Sequence, residues 1–258
     1  LSVIVAGQIN KIHSSDRAAI IGASNQDIIH STNATALGGA GIIKFSEQSV
    51  GINSAVIGHS TGVIGAGGST ITGSKYAFAA GQSNTIQRGS SFSFIGGGLS
   101  NEIWGAYRQP NLGAGKSFTG WTVLQDSTLS TAAKEVAGIY SNIVGGNNND
   151  VISSSYSFIG AGNGVVISGS EYSAIVMGDG GSSNQRQRIW HAAHSFIGGG
   201  YYSRIQGSSF SLVGGGDSNQ ISASRQLNNQ QHSNVIVGGA DNRMENGPNV
   251  EGYVRTLC

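Results

Sequence analysis

Apolar residues recur along this chain in two fixed columns, with polar and glycine-rich stretches between them. The unit is typified by Ser93-Phe94-Ile95-Gly96-Gly97-Gly98-Leu99-Ser100-Asn101-Glu102-Ile103. It returns about every sixteen residues, and a fixed period of that size signals a stacked solenoid. The first column reads Ile4, Ile20, Leu37, Val56, Phe78, Ile95, Ile143, Ile159, Ile175, Ile197, Val213 and Ile236. The second reads Ile12, Ile28, Phe45, Ile64, Ile86, Ile103, Val151, Ile167, Ser183, Ile205, Ile221 and Met244, with Ser183 its polar exception. Each column predicts one short strand per coil. The chain therefore reads as all-β, a parallel β-solenoid of about twelve or more coils, with Ile95, Ile103, Ile143, Ile159, Ile197, Ile205, Val213 and Ile221 in its core.

Punctuation residues mark the corners. Three positions after the first column stand Gly7, Gly81, Gly98, Gly146, Gly162, Gly178, Gly200, Gly216 and Gly239, where a positive φ or a close backbone approach is expected. Before the second strand an Asn-x-apolar signature recurs at Asn10, Asn84, Asn101, Asn149, Asn219 and Asn242. Asn tolerates the left-handed region and bonds its own turn backbone, which makes this the second corner.

Neighbouring strand residues face opposite sides. If the isoleucines point inwards, then Val3, Ala19, Ala36, Ala55, Ala77, Phe94, Phe158, Ala174, Phe196, Leu212 and Val235 point outwards, joined by Val5, Ile21, Ile57, Val144, Val176 and Val237. An exposed apolar stripe along a whole rod is improbable for an isolated chain. Burial against copies of itself is expected, with a cyclic homotrimer as the natural closure. A monomeric β-helix with a wide core is the alternative.

The repeat Ser-x-Ile-Gly-Gly-Gly-x-x-Asn-x-Ile, followed by Gly-Ser-Ser or Ser-Ser-Ser, resembles the head repeats of YadA-like trimeric adhesins and related phage tail fibres. Ser141-Asn142-Ile143-Val144-Gly145-Gly146, Ser157-Phe158-Ile159-Gly160-Ala161-Gly162, Ser195-Phe196-Ile197-Gly198-Gly199-Gly200 and Ser211-Leu212-Val213-Gly214-Gly215-Gly216 carry the resemblance. It implies a left-handed parallel β-roll, three chains side by side or intertwined, displayed on a virion or outside a cell. Adhesin heads commonly use a shorter coil and continue into a coiled-coil stalk and membrane anchor, a pattern this sequence lacks. Since Leu1 opens inside the repeat pattern, an upstream anchoring or baseplate segment is expected.

Composition narrows the surroundings. Glycine contributes 42 residues and proline 2, without a collagen period. Charged residues are 10% and the formal net charge is +1, so Ser, Asn, Gln and Gly must carry solubility and an electrostatic partner such as nucleic acid is disfavoured. The one cysteine, Cys258, allows no intrachain disulfide. No segment reaches the roughly 18 continuous apolar residues of a membrane helix, so membrane insertion is not expected.

Breaks in the period divide the chain into coils over 1–103, an insert over 104–140 in which Asn111-Leu112-Gly113-Ala114-Gly115 reads as a candidate degenerate coil, coils over 141–244 with further inserts at 179–194 and 222–232, and a C-terminal cap over 245–258. Inserts at solenoid corners bulge outwards to where partners are met. All three tryptophans fall in them, and Trp, Tyr and Arg carry interface energy. Trp104, Tyr107, Arg108, Trp121, Arg186, Arg188 and Trp190 are the candidate ligand-binding residues. The bland alternative folds the three indoles back over the roll or into a trimer seam.

Catalytic signals are weak. Asp and Glu total 13 and are dispersed along the chain, with no near pair in sequence to nominate an acid and a base. His191 and His194 have permissive spacing for zinc, but corner roles are more ordinary, and no metal or cofactor is expected. The glycine runs recur with the coil and lack the strand-to-helix context of a phosphate loop. The expected function is a non-enzymatic trimeric receptor-binding fibre, phage-like, attaching to a cell-surface glycan or protein. Alternatives are a bacterial adhesin head, a polysaccharide-degrading tailspike and a structural spacer.

Overall fold

The computed structural model describes residues 2–44, 46, 48–52, 55–57, 64–74, 76–87, 90, 92–104, 140–179, 186–223 and 234–246. Among the described residues, consecutive strands alternate between two parallel sheets of 13 strands each, so that every coil adds one strand to each sheet. The chain is a β-solenoid. In the first sheet Ile95 aligns with Ile143, Ile159, Ile175, Ile197 and Val213. In the second, Ile86 aligns with Ile103, Val151 and Ile167. All of these side chains are fully buried. Each contributes on the order of 2 kcal/mol relative to an exposed position, which is why both columns are apolar.

The register corrects the sequence reading in two places. Between residues 35 and 86 the inward positions of the first sheet are Ala36, Gly51, Gly65 and Ala79, not Leu37, Val56 and Phe78. Coils there shorten to about fourteen or fifteen residues, one more coil fits, and Ala36, expected outside, is inside. Ile43, Val56 and Ile71 hold the second column here; Ile64 belongs to the first sheet, and Phe45 lies outside the described residues. The other correction removes the polar exception, since Ile189, not Ser183, continues the second column between Ile167 and Ile205.

Buried amides line one corner. Asn101 Nδ2 donates to the carbonyls of Gly97 at 3.0 Å and Gly146 at 3.1 Å, while its Oδ1 accepts the backbone N–H of Asn149. Asn84, Asn149 and Asn219 repeat the pattern. The asparagine therefore works through its side chain. The left-handed conformation falls on the residue before it, at Ser83, Ser100, Asn148, Ser218 and Asp241.

The corner glycines follow from this ladder. Gly98 has φ +90°, and a Cβ there would lie 2.0 Å from the carbonyl oxygen of Gly146 and 2.7 Å from Asn101 Nδ2. Gly146, Gly200 and Gly216 share the positive φ. Gly162 does not; there Val165 replaces the asparagine, and close packing against its Cγ2 excludes a Cβ.

The opposite corner holds a column the sequence reading missed. Tyr76, Phe92, Tyr140, Tyr156, Tyr172, His194 and Phe210 all have φ between +51° and +57°, a conformation that is rare for bulky residues. Their rings form one continuous stack, with centroids 4.7 to 5.1 Å apart. Backbone bonds fix the conformation: the N–H groups of Tyr172, His194 and Phe210 donate to Ser155, Glu171 and Ala193. Buried serines stand beside most of these rings. Ser154 Oγ accepts the N–H of Ser170, Ser170 Oγ that of Ala192, and Ser195 Oγ that of Ser211.

The long insert does not interrupt the stack. Phe94–Ile95 pairs directly with Asn142–Ile143, and Glu102–Trp104 with Asp150–Ile152. Residues 105–139, with the degenerate coil expected around Asn111 to Gly115, lie outside the described residues, as do most of 222–232 and of the cap.

Candidate ligand-binding face

The two sheets have differently built outer faces. On the first, Phe94, Phe158, Phe196, Leu212 and Val235 project outwards, each 37 to 47% exposed. Beside this column runs a second, formed by Gly96, Val144, Gly160, Val176, Gly198, Gly214 and Val237. Bulk alternates between them: phenylalanine pairs with glycine at 94/96, 158/160 and 196/198, whereas Asn142 and Ala174 pair with Val144 and Val176. Each phenylalanine ring lies across its glycine, so that a Cβ on Gly96, Gly160 or Gly198 would come within 3.4 Å of a ring carbon. From Phe94 to Gly214 the result is a largely apolar surface of matched bulk, with Asn142 its polar member; on the last rung Val235 and Val237 are both bulky.

The second sheet presents polar, charged and aromatic groups. Because Ile103, Val151, Ile167, Ile189 and Ile205 point inwards, their neighbours point outwards. One outer column runs Glu102, Asp150, Val166, Arg188, Arg204. The other runs Trp104, Ile152, Ser168, Trp190, Gln206 in the same register. Arg188 and Trp190, expected in a loop, belong to the strand Arg188–Trp190, since Ile189 resumes the core after the insert. Trp104 ends the strand Glu102–Trp104, three strand spacings from Trp190, about 14 Å.

Arg186 enters this face from the insert and contacts Asp150, with Nη1 to Oδ2 at 2.5 Å. The Arg188 guanidinium lies 5.9 Å from the Trp190 ring centroid. Ile152, Val166, Ser168, Arg186, Arg188, Ile189 and Trp190 line a shallow pocket of about 200 Å³. The structure thus brings Trp104, Arg186, Arg188 and Trp190 onto one face. Tyr107, Arg108 and Trp121 lie outside the described residues.

Glu102 and Asp150 occupy neighbouring rungs, a carboxylate pair hidden in the sequence by a separation of 48 residues. Burial, and secondarily the charge of Asp150, pushes the Glu102 carboxyl above its ordinary value, against a hydrogen bond from Gln87. Burial also raises Asp150, and the Arg186 guanidinium opposes it. The Arg188 guanidinium is lowered by burial and then by the charges of Arg204 and Arg186.

The two histidines occupy different surroundings. His194 is held between Tyr172 and Phe210 in the aromatic stack, while His191 lies beside Trp190. Among the described residues no cluster of three or more His, Cys, Asp or Glu could hold a metal ion, and no helix is long and apolar enough to cross a membrane.

No family model matches the chain, and neither a curated protein nor a solved structure matches it.

Proposed function

We propose that this protein is the rigid receptor-binding part of a trimeric attachment fibre of the phage tail-fibre type, displayed on a virion or cell surface. The contrast between the two outer faces carries this reading. The first sheet's largely apolar surface suits burial against identical copies, because a face of matched bulk packs without cavities. The second sheet then faces outwards with Trp104, Trp190 and three arginines, the side chains that dominate interfaces. The Ser-x-Ile-Gly-Gly-Gly repeat supports the same reading through its resemblance to trimeric heads, among which a bacterial adhesin is the nearest alternative. The test is adsorption of labelled protein to a panel of bacterial cells. Saturable binding that Trp190→Ala weakens without lowering the melting temperature supports it; no binding to any cell favours a structural spacer.

A second reading, cleavage of a surface polysaccharide, is favoured by one observation, the adjacent Glu102 and Asp150 with their raised carboxyls. It predicts new reducing ends on incubation with capsule or lipopolysaccharide, abolished in Glu102→Gln.

A further inference from the structure

The outer column of the second sheet changes sign along the stack, from Glu102 and Asp150 through Val166 to Arg188 and Arg204. The carboxylates already have donors, Gln87 on Glu102 and Arg186 on Asp150. Arg188 differs, because its Nε is buried and has no acceptor among the described residues. Like charges crowd it, with Arg204 on the next rung and Arg186 two residues away.

Three demands on a ligand follow. The crowded guanidinium calls for an anion, and guanidinium matches a carboxylate in bidentate fashion. Beside it Ile152, Val166 and the exposed Trp190 indole offer an apolar wall suited to the C–H face of a ring. Ser168 and Gln206 flank Trp190 in its column and supply a hydroxyl and an amide for hydroxyl groups. A small inorganic anion would meet only the first demand, and a neutral sugar only the last two.

We infer that the pocket beside Arg188 and Trp190 takes a carboxylate-bearing sugar unit of an acidic cell-surface polysaccharide. This rests on the attachment reading above and names its ligand class. The carboxylate pairs with Arg188, the ring lies against Trp190, and the Asp150 carboxylate, two rungs away beyond Val166, disfavours a second negative charge at that end.

The experiment is calorimetric titration of the full chain with oligomers of glucuronate, galacturonate and sialate, each beside its carboxyl-reduced counterpart. At least one acidic oligomer is expected to bind, tenfold or more tighter than its reduced form. Arg188→Gln and Trp190→Ala each weaken it at least tenfold at unchanged melting temperature, whereas Arg17→Gln, outside this sheet's outer face, does not. Equal affinity for acidic and reduced oligomers, or unchanged binding in both variants, overturns the inference. So does displacement by equimolar inorganic phosphate, which would mark a general anion site. If no oligomer binds while cells are still adsorbed through Trp190, the ligand class fails and the attachment reading stands. Binding of an acidic oligomer through Arg188 without adsorption to any cell reverses that outcome.

Discussion

Asn101 and Asn149 are 48 residues apart in the chain and adjacent in the stack, joined by the Asn149 backbone N–H donating to Asn101 Oδ1 at 3.1 Å. With the strand pairs 94–95/142–143 and 102–104/150–152, this bond joins the two coils that the longest insert separates in the sequence. Asn101 is fully buried, so its loss strands groups that water cannot reach.

Asn101→Leu should therefore destabilise the protein by about 2 kcal/mol or more, since each orphaned buried polar group costs roughly 1–3 kcal/mol. Thermal melting checks it. An unchanged melting temperature would mean that the ladder is not the joint.

Gly97 and Gly98 are neighbours with opposite tolerance. A Cβ on Gly97 meets nothing within 4 Å, whereas on Gly98 it collides with the Gly146 carbonyl at positive φ. Gly97→Ala should be silent in melting, and Gly98→Ala should prevent assembly or lower the melting temperature steeply, because a clash with backbone cannot be relieved by a rotamer change.

Much of the solenoid was legible because an apolar residue at a fixed spacing is a long-range signal. Ile95, Ile143, Ile159 and Ile197 sit where the period places them. Legibility failed where the inward residue is small: at Ala36, Gly51 and Ala79 the apolar alignment latched onto Leu37, Val56 and Phe78. The same logic hid Ile189 behind an insert of variable length. Residue type alone marks Arg188 and Trp190 as candidates, while the broken period around them reads as a loop. The aromatic corner was missed because left-handed positions are expected to hold Gly or Asn, although Ser155-Tyr156-Ser157 and its relatives recur in the sequence. The Glu102–Asp150 pair is invisible without the register.

The aromatic stack offers a separation of backbone strain from ring contact. Tyr156 stacks on Tyr140 at 5.1 Å and Tyr172 at 4.8 Å, at φ +54°. Tyr156→Ala loses both contacts, worth about 0.5–1.5 kcal/mol each, and keeps the strain. Tyr156→Gly loses the same contacts but relieves about 1 kcal/mol of left-handed penalty. The expected order of melting temperatures is wild type, then Gly, then Ala; Ala above Gly would show that the backbone there is not held left-handed.

The raised Glu102 carboxyl gives a pH dependence with a definite sign. Its folded-state pKa lies above the ordinary value of 4.5, so the folded protein binds the proton first as pH falls. The contribution of Glu102 to stability is then fully present below 4.5 and is lost as pH rises through the folded value. Melting temperature should rise on acidification across that window, by less in Glu102→Gln. An identical pH profile in the variant would assign the dependence elsewhere.

Mass by light scattering tests the assembly most directly. The account predicts a species three times the 26.4 kDa of one chain, and disruption of that species by Phe158→Asp with Phe196→Asp on the largely apolar face. A monodisperse 26.4 kDa species with full strand content would contradict it.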